Sequence, residues 1–191
     1  QSLSHLTEMG KTSRVPLPLP ADCQSWPTVD VFIPTYDEDP NIVRTTLIAA
    51  TQMDYPSGKL RVYVLDDGGT DMMLAQADAM RALAMRTRAA KIVDIARRYT
   101  SKVLVRPWPG YVEQKNHATA EASHDWILSL DADEELDAEA QAALGSLDLS
   151  DPDACWDWRR RTFVGRTEVR HGPWGGERVL RLFHRGRAGF S

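Results

Sequence analysis

Four short runs rich in β-branched and other apolar residues, at 29–34, 60–65, 102–105 and 126–130, alternate with stretches of helical composition at about 40–53, 71–99 and 113–122. Strands spaced by helices imply an α/β fold with a mostly parallel central sheet covered by helices on both faces. In such sheets ligands collect beyond the carboxyl ends of the strands. Three polar clusters fall there: Thr35-Tyr36-Asp37-Glu38, Asp66-Asp67-Gly68-Gly69 and Asp131-Ala132-Asp133. The pattern therefore predicts a site on one edge of the sheet. A short helix is expected after Leu136, and residues 156–164 and 178–183 read as strands of a less regular second half.

The chain has 191 residues, 42% hydrophobic and 26% charged, which suits one globular domain and excludes collagen-like, coiled-coil and wholly disordered classes. Residues 1–27 are polar and then proline-rich, and are expected to be an extended lead-in to a domain over 28–191. No apolar run approaches the roughly 18–20 residues of a membrane span, and the first residues lack the apolar core of a signal peptide. Two isolated cysteines, Cys23 and Cys155, are too few for a disulfide framework or a zinc site. A cytoplasmic location is expected. Residues 151–191 carry nine arginines against five acids, whereas the whole chain has a net charge of -4. That basic segment reads either as a solvated face or as a surface for phosphates or lipid headgroups at the inner membrane. The acidic remainder argues against nucleic-acid binding.

Asp131 and Asp133, spaced Asp-x-Asp after a buried strand, suit a hard divalent cation that leaves positions for substrate phosphates. On an extended segment both would point the same way. The alternative is an acidic helix start, with Asp133 and Glu134 complementing the helix dipole. Asp66 and Asp67 can accept hydrogen bonds from a uracil imide or ribose hydroxyls, or simply cap a turn. Lys115, in Gln114-Lys115-Asn116, can neutralise a phosphate or stand solvated on a first helical turn. His171, Trp174 and Glu177 share a glycine-rich stretch that reads as an acceptor pocket, with Trp174 stacking on a sugar and Glu177 taking a proton, or as a turn between strands. Walker-type and G-x-G-x-x-G phosphate loops are absent.

Together these residues resemble the family-2 glycosyltransferases of GT-A fold, over about 16–190. Residues 16–75, with Pro16-Leu17-Pro18-Leu19-Pro20, Val31-Phe32-Ile33-Pro34-Thr35-Tyr36-Asp37-Glu38 and Leu65-Asp66-Asp67-Gly68-Gly69, are similar to the catalytic subunit of bacterial cellulose synthase. Residues 91–190, with Gln114-Lys115-Asn116, Asp131-Ala132-Asp133-Glu134-Glu135 and Arg178-Val179-Leu180-Arg181-Leu182-Phe183, resemble the transferases that extend lipopolysaccharide core. The resemblance implies a UDP-sugar contacted by Thr35, Tyr36, Glu38, Asp66 and Asp67, with Lys115, Asn116 and Asp131 near the ribose or diphosphate. It also implies Mg2+ or Mn2+ on Asp133 and catalysis by Asp131 and Asp133; the base is not carried by a family motif in this chain, and Glu177 is the substitute read from the glycine-rich stretch. A saccharide or glycolipid would be the acceptor, met by His171 and Trp174. The Thr-Glu-Asp and Gln-x-x-Arg-Trp motifs of cellulose synthases are absent, which counts against processive polymerisation, and the core transferases continue into a further segment, so the acceptor end is expected to be incomplete. The expected activity is inverting transfer of a hexose. A domain that binds nucleotide-sugar without transferring it, and a non-catalytic scaffold, are the alternatives.

Overall fold

The computed structural model describes residues 2–10, 22–35, 38–56, 58–66, 89–107, 109–164, 167–171 and 175–190. In chain order the strands are β1 (Ser2–Gly10), β2 (Val29–Thr35), β3 (Leu60–Asp66), β4 (Lys102–Val105), β5 (Trp126–Ser129), β6 (Glu134–Leu136), β7 (Cys155–Val164), β8 (Thr167–Glu168) and β9 (Gly175–His184). The helices are α1 (Pro40–Thr51), α2 (residues 89–96), α3 (Tyr111–Glu121) and α4 (Ala138–Gly145). The strands form one sheet in the order β4-β3-β2-β5-β9-β7-β1-β6, with β8 paired to β7.

The half containing β4, β3, β2 and β5 is parallel throughout, as the alternation predicts. Its strands read as continuous apolar runs because both faces are covered. One face, carrying Val31, Ile33, Val64 and Leu128, packs against Val43 and Leu47 of α1 and Ile92 and Ala96 of α2. The other, carrying Phe32, Tyr63 and Ile127, packs against Ala118 and Ala122 of α3. Phe32 and Tyr63 are register partners, and their rings stack with centroids 4.7 Å apart.

Local chemistry sets the helix starts. Asp39 caps α1 by accepting from the Asn41 N–H at 2.8 Å, and Pro40 occupies the first helical position, where its missing N–H is no loss. Asp137 caps α4 through the Ala140 N–H at 2.9 Å. At the amino edge of the sheet the fully buried Asp30 accepts from the N–H groups of Ser123 (2.5 Å) and His124 (2.7 Å), fixing the turn from α3 into β5.

The structure refines the sequence expectation at several points. Residues 2–10, expected to lie in a lead-in outside the domain, form a strand inside the sheet, antiparallel to β7 and parallel to β6. Ser2, Ser4, His5, Thr7 and Glu8 break any apolar alternation there, so backbone ladders on both sides, not a hydrophobic pattern, define the strand. The proline-rich 16–20 lies outside the described residues, as does most of the helix expected over 71–99. Glu134–Leu136 form β6, which rules against the alternative of an acidic helix start there, and the short helix expected after Leu136 follows, capped by Asp137. Beyond β5 the sheet runs antiparallel through β9, β7 and β1.

Candidate functional site

The carboxyl ends of β2 and β3 meet in register at Thr35 and Asp66, each only 1% exposed. The Thr35 hydroxyl lies 3.0 Å from Asp66 Oδ1 and 3.2 Å from the Leu65 carbonyl oxygen, so the threonine orients the buried carboxylate. Tyr36 and Asp67 lie outside the described residues, and Glu38 is half-buried beside the cap of α1.

One strand over, β5 ends and the chain turns. The Glu134 N–H donates to the Asp131 carbonyl at 3.0 Å, so Asp131-Ala132-Asp133 is a turn. The expectation of an extended segment is corrected accordingly: β5 stops at Ser129, and a backbone closed over four residues does not keep the alternation of a strand. Helix α1 braces this turn, because the Thr46 hydroxyl donates to the Ala132 carbonyl at 2.7 Å.

Charge is concentrated on the turn. Arg181, on β9 and 5% exposed at its side chain, places Nη2 2.6 Å from Asp131 Oδ2 and 2.5 Å from Glu134 Oε1. The other Glu134 oxygen accepts the Asp131 N–H at 3.1 Å. Lys115 Nζ stands 3.4 Å from Asp131 Oδ1. Burial opposes ionisation of Asp131, but the charges of Arg181 and Lys115 outweigh it and hold the carboxyl below the ordinary aspartate range. Asp133 moves the other way: burial, and then repulsion from Asp131, push its carboxyl up. Burial also pushes Glu134 up, against the attraction of Arg181. Burial would weaken the Arg181 cation, yet Glu134 and Asp131 together strengthen it.

The expected residues are therefore only partly assembled. Thr35 joins Asp66, and Lys115 joins Asp131. Asn116 faces elsewhere: its Nδ2 donates to the Phe190 carbonyl and its Oδ1 accepts the Phe190 N–H, both at 2.9 Å. Glu177 is ion-paired with Arg160, whose Nη1 is 3.8 Å from Glu134 Oε1. His171 is exposed and Trp174 lies outside the described residues. Arg181 and Glu134 were not named as site residues from the sequence. The available signal was a cation within the apolar run Val179-Leu180-Arg181-Leu182-Phe183, where an isolated charge needs a partner.

The family model described as glycosyl transferase family 2 matches residues 30–189, which includes every residue of this cluster. The chain belongs to glycosyl transferase family 2. Its mixed α/β fold, with a parallel core at β4-β3-β2-β5, is the GT-A type expected for the family. Among similar proteins, the cellulose synthase catalytic subunit [UDP-forming] of Komagataeibacter sucrofermentans is 38% identical over 131 residues, 69% of this chain and 15% of that protein. The corresponding subunit of Xanthomonas axonopodis pv. citri is 49% identical over 69 residues, 36% of this chain and 10% of that protein. The chain thus spans a small fraction of these relatives. The solved structure of mannosyltransferase PcManGT from Pyrobaculum calidifontis, in complex with GDP-Man and Mn2+, overlaps at TM-score 0.47 and 24% identity, covering 72% of this chain and 36% of that one.

Among the described residues no group of three His, Cys, Asp or Glu side chains forms a ready metal cage, and no helix is long and apolar enough to cross a membrane. A carboxylate of this turn could nonetheless serve a hard cation. Mg2+ and Mn2+ need only one or two protein carboxylates when phosphates supply other oxygens. Asp133 would hold it, since its carboxyl is the one destabilised by burial and by Asp131 and so has most to gain from a positive neighbour.

Proposed function

We propose that this family 2 domain transfers a hexose from a UDP-sugar to a saccharide or lipid-linked saccharide, with inversion and with the help of Mg2+ or Mn2+. The observation that carries the reading is the pairing of Asp131 with Lys115 and Arg181 at the carboxyl edge, beside an Asp133 carboxyl pushed upward. The designation "UDP-forming" of the cellulose synthase relatives supports the choice of nucleotide.

In this reading Thr35, Tyr36, Glu38, Asp66 and Asp67 receive the nucleoside, and Lys115 and Asp131 lie along the ribose and diphosphate. A divalent cation on Asp133, when bound, would neutralise charge on the departing diphosphate. The acceptor hydroxyl oxygen bonds to the anomeric carbon as the bond from that carbon to the diphosphate oxygen breaks, which inverts the centre. The hydroxyl proton goes to a carboxylate, for which Glu177 is the candidate, with His171 and Trp174 along the acceptor path. The reaction would take place at the cytoplasmic face of the inner membrane, where the exposed arginines of 151–191, such as Arg170 and Arg187, would meet anionic lipid.

One observation favours a second reading, a domain that holds nucleotide-sugar but does not transfer it: the Glu177 carboxylate is already ion-paired with Arg160 and would have to leave that partner to meet an acceptor hydroxyl. The test is calorimetric titration with UDP, GDP, ADP and their sugars, with and without Mn2+, followed by a UDP-release assay with and without glycolipid acceptors. UDP release that depends on acceptor supports transfer. Binding without release supports the second reading, and no nucleotide binding at all defeats both.

A further inference from the structure

Gln114 stands on the first turn of α3, is fully buried at 0% exposure, and has no hydrogen-bond partner for its carboxamide oxygen or nitrogen among the described residues. A buried polar group left unpaired costs about 1–3 kcal/mol, which an apolar residue of similar size would avoid. Such a group in a folded chain calls for a partner that arrives later or a water that is trapped.

Its position favours a ligand. Helix α3 runs from the carboxyl edge of the sheet, where Lys115 meets Asp131, to the amino edge, where Ser123 and His124 bind Asp30. Gln114 lies one helical turn before Ala118, and Ala118 packs in the same cluster as Leu65, the residue before Asp66. Gln114 is therefore at the carboxyl-edge end of a helix that packs over β2. The other polar groups described at that edge are committed or one-sided. The Thr35 hydroxyl bonds to Asp66 and Leu65, Lys115 bonds to Asp131, and an ionised Asp66 can only accept. A pyrimidine imide edge presents an N–H between two carbonyl oxygens, so carboxylates can receive the N–H but cannot donate to the carbonyls. A carboxamide can.

We propose that Gln114 is a specificity-determining residue whose Nε2 donates to a carbonyl oxygen of the pyrimidine base of the nucleotide-sugar. This rests on the nucleotide-sugar reading above. The carboxamide is already stripped of water in the folded chain, so pairing with the base recovers a hydrogen bond without a fresh desolvation cost on the protein side.

The test compares wild type with Gln114→Leu, and with Gln114→Met should the leucine variant not fold, by thermal melting and by titration with UDP and ADP. The expected result is a melting temperature equal to or above wild type, because an unpaired polar group is gone. UDP affinity should fall about tenfold, the loss of one hydrogen bond worth about 1.4 kcal/mol, while ADP affinity stays within about twofold. A lower melting temperature with unchanged UDP affinity would mean a trapped water or a structural glutamine and would overturn the proposal. Equal weakening of UDP and ADP would overturn it too, since the base would then not be read. A wild-type chain that binds neither nucleotide sinks the nucleotide-sugar reading itself, whereas unchanged UDP binding by the variant sinks only the role of Gln114.

Discussion

Arg181 on β9 and Glu134 on β6 bury a salt bridge, with Nη2 2.5 Å from Oε1 and side chains 5% and 1% exposed, behind a turn whose outer carboxylate, Asp131, shares the same guanidinium. Their strands are not neighbours in the sheet, so the pair ties the acidic turn to the antiparallel half. Removing one member leaves the other charge buried without its partner, which costs about 3–5 kcal/mol. Arg181→Met is therefore expected to lower unfolding free energy by about that amount in urea titration, and the double variant Arg181→Met, Glu134→Gln to recover a large part of it. Single and double variants of equal stability would show that the pair is not the source of the loss.

Asp133 sets the pH response of the site. Its folded carboxyl lies above the ordinary aspartate value of 3.8, so the folded state favours the protonated form. Its contribution to stability is thus present below the unfolded value and lost as pH rises through the folded one. Asp131 is lowered and does the reverse: it stabilises above 3.8, and that stability disappears as pH falls through its depressed folded value. Asp133→Asn is expected to melt slightly higher than wild type at neutral pH without metal, and to lose the upward shift that Mn2+ with UDP gives the wild type. In wild type, Mn2+ affinity should weaken on acidification at a pH above the usual aspartate range, because the cation competes with the Asp133 proton. An Mn2+ shift retained in full by Asp133→Asn would place the cation on other residues.

The two buried aspartates of β2 and β3 show what is legible in the sequence and what is not. Asp66 ends its strand, and the rule that ligands gather at strand ends was enough to mark it. Asp30 sits inside the apolar run Val29-Asp30-Val31-Phe32, and nothing local reveals that Ser123 and His124 supply its N–H donors. The same limit hid Arg181, whose partners Asp131 and Glu134 lie 50 and 47 residues away in sequence. The parallel strands were readable because burial on both faces writes an unbroken apolar run into each. Strand β1 was not, because a polar segment held by ladders on two sides carries no such pattern. Asp131-Ala132-Asp133 was found at the right strand end but with the wrong backbone, since a turn closed by the Glu134 N–H leaves no periodic trace.

Asp30 yields a prediction independent of the site. Its carboxylate is fully buried and takes two backbone N–H groups at the start of β5, bonds of the charge-assisted kind. Asp30→Ala leaves both donors unpaired at about 1–3 kcal/mol each. The expected result is a drop of about 2–5 kcal/mol in unfolding free energy. Asp30→Asn, which keeps an acceptor oxygen, should lose less. Chemical denaturation of both variants checks this, and a drop under about 1 kcal/mol for Asp30→Ala would mean that water reaches those amides.

Asn116 separates a tethering role from a donor-binding one. Its carboxamide holds both backbone groups of Phe190 at 2.9 Å, and the Phe190 ring lies under Lys115 Nζ at 5.1 Å from its centroid. Two neutral hydrogen bonds are worth about 1–3 kcal/mol together, so Asn116→Ala should destabilise the fold by that amount. The segment that ends near Phe190 should also become more open to amide exchange. Because the side chain is committed to Phe190, UDP affinity should change by no more than the small shift caused by a less constrained Lys115, within about threefold or 0.7 kcal/mol. A contact with the nucleotide would give the opposite pattern, stability nearly intact and UDP affinity down about tenfold or more. Calorimetry and hydrogen exchange on the same variant decide between the two, and the second pattern would mean that the carboxamide leaves Phe190 when the nucleotide arrives.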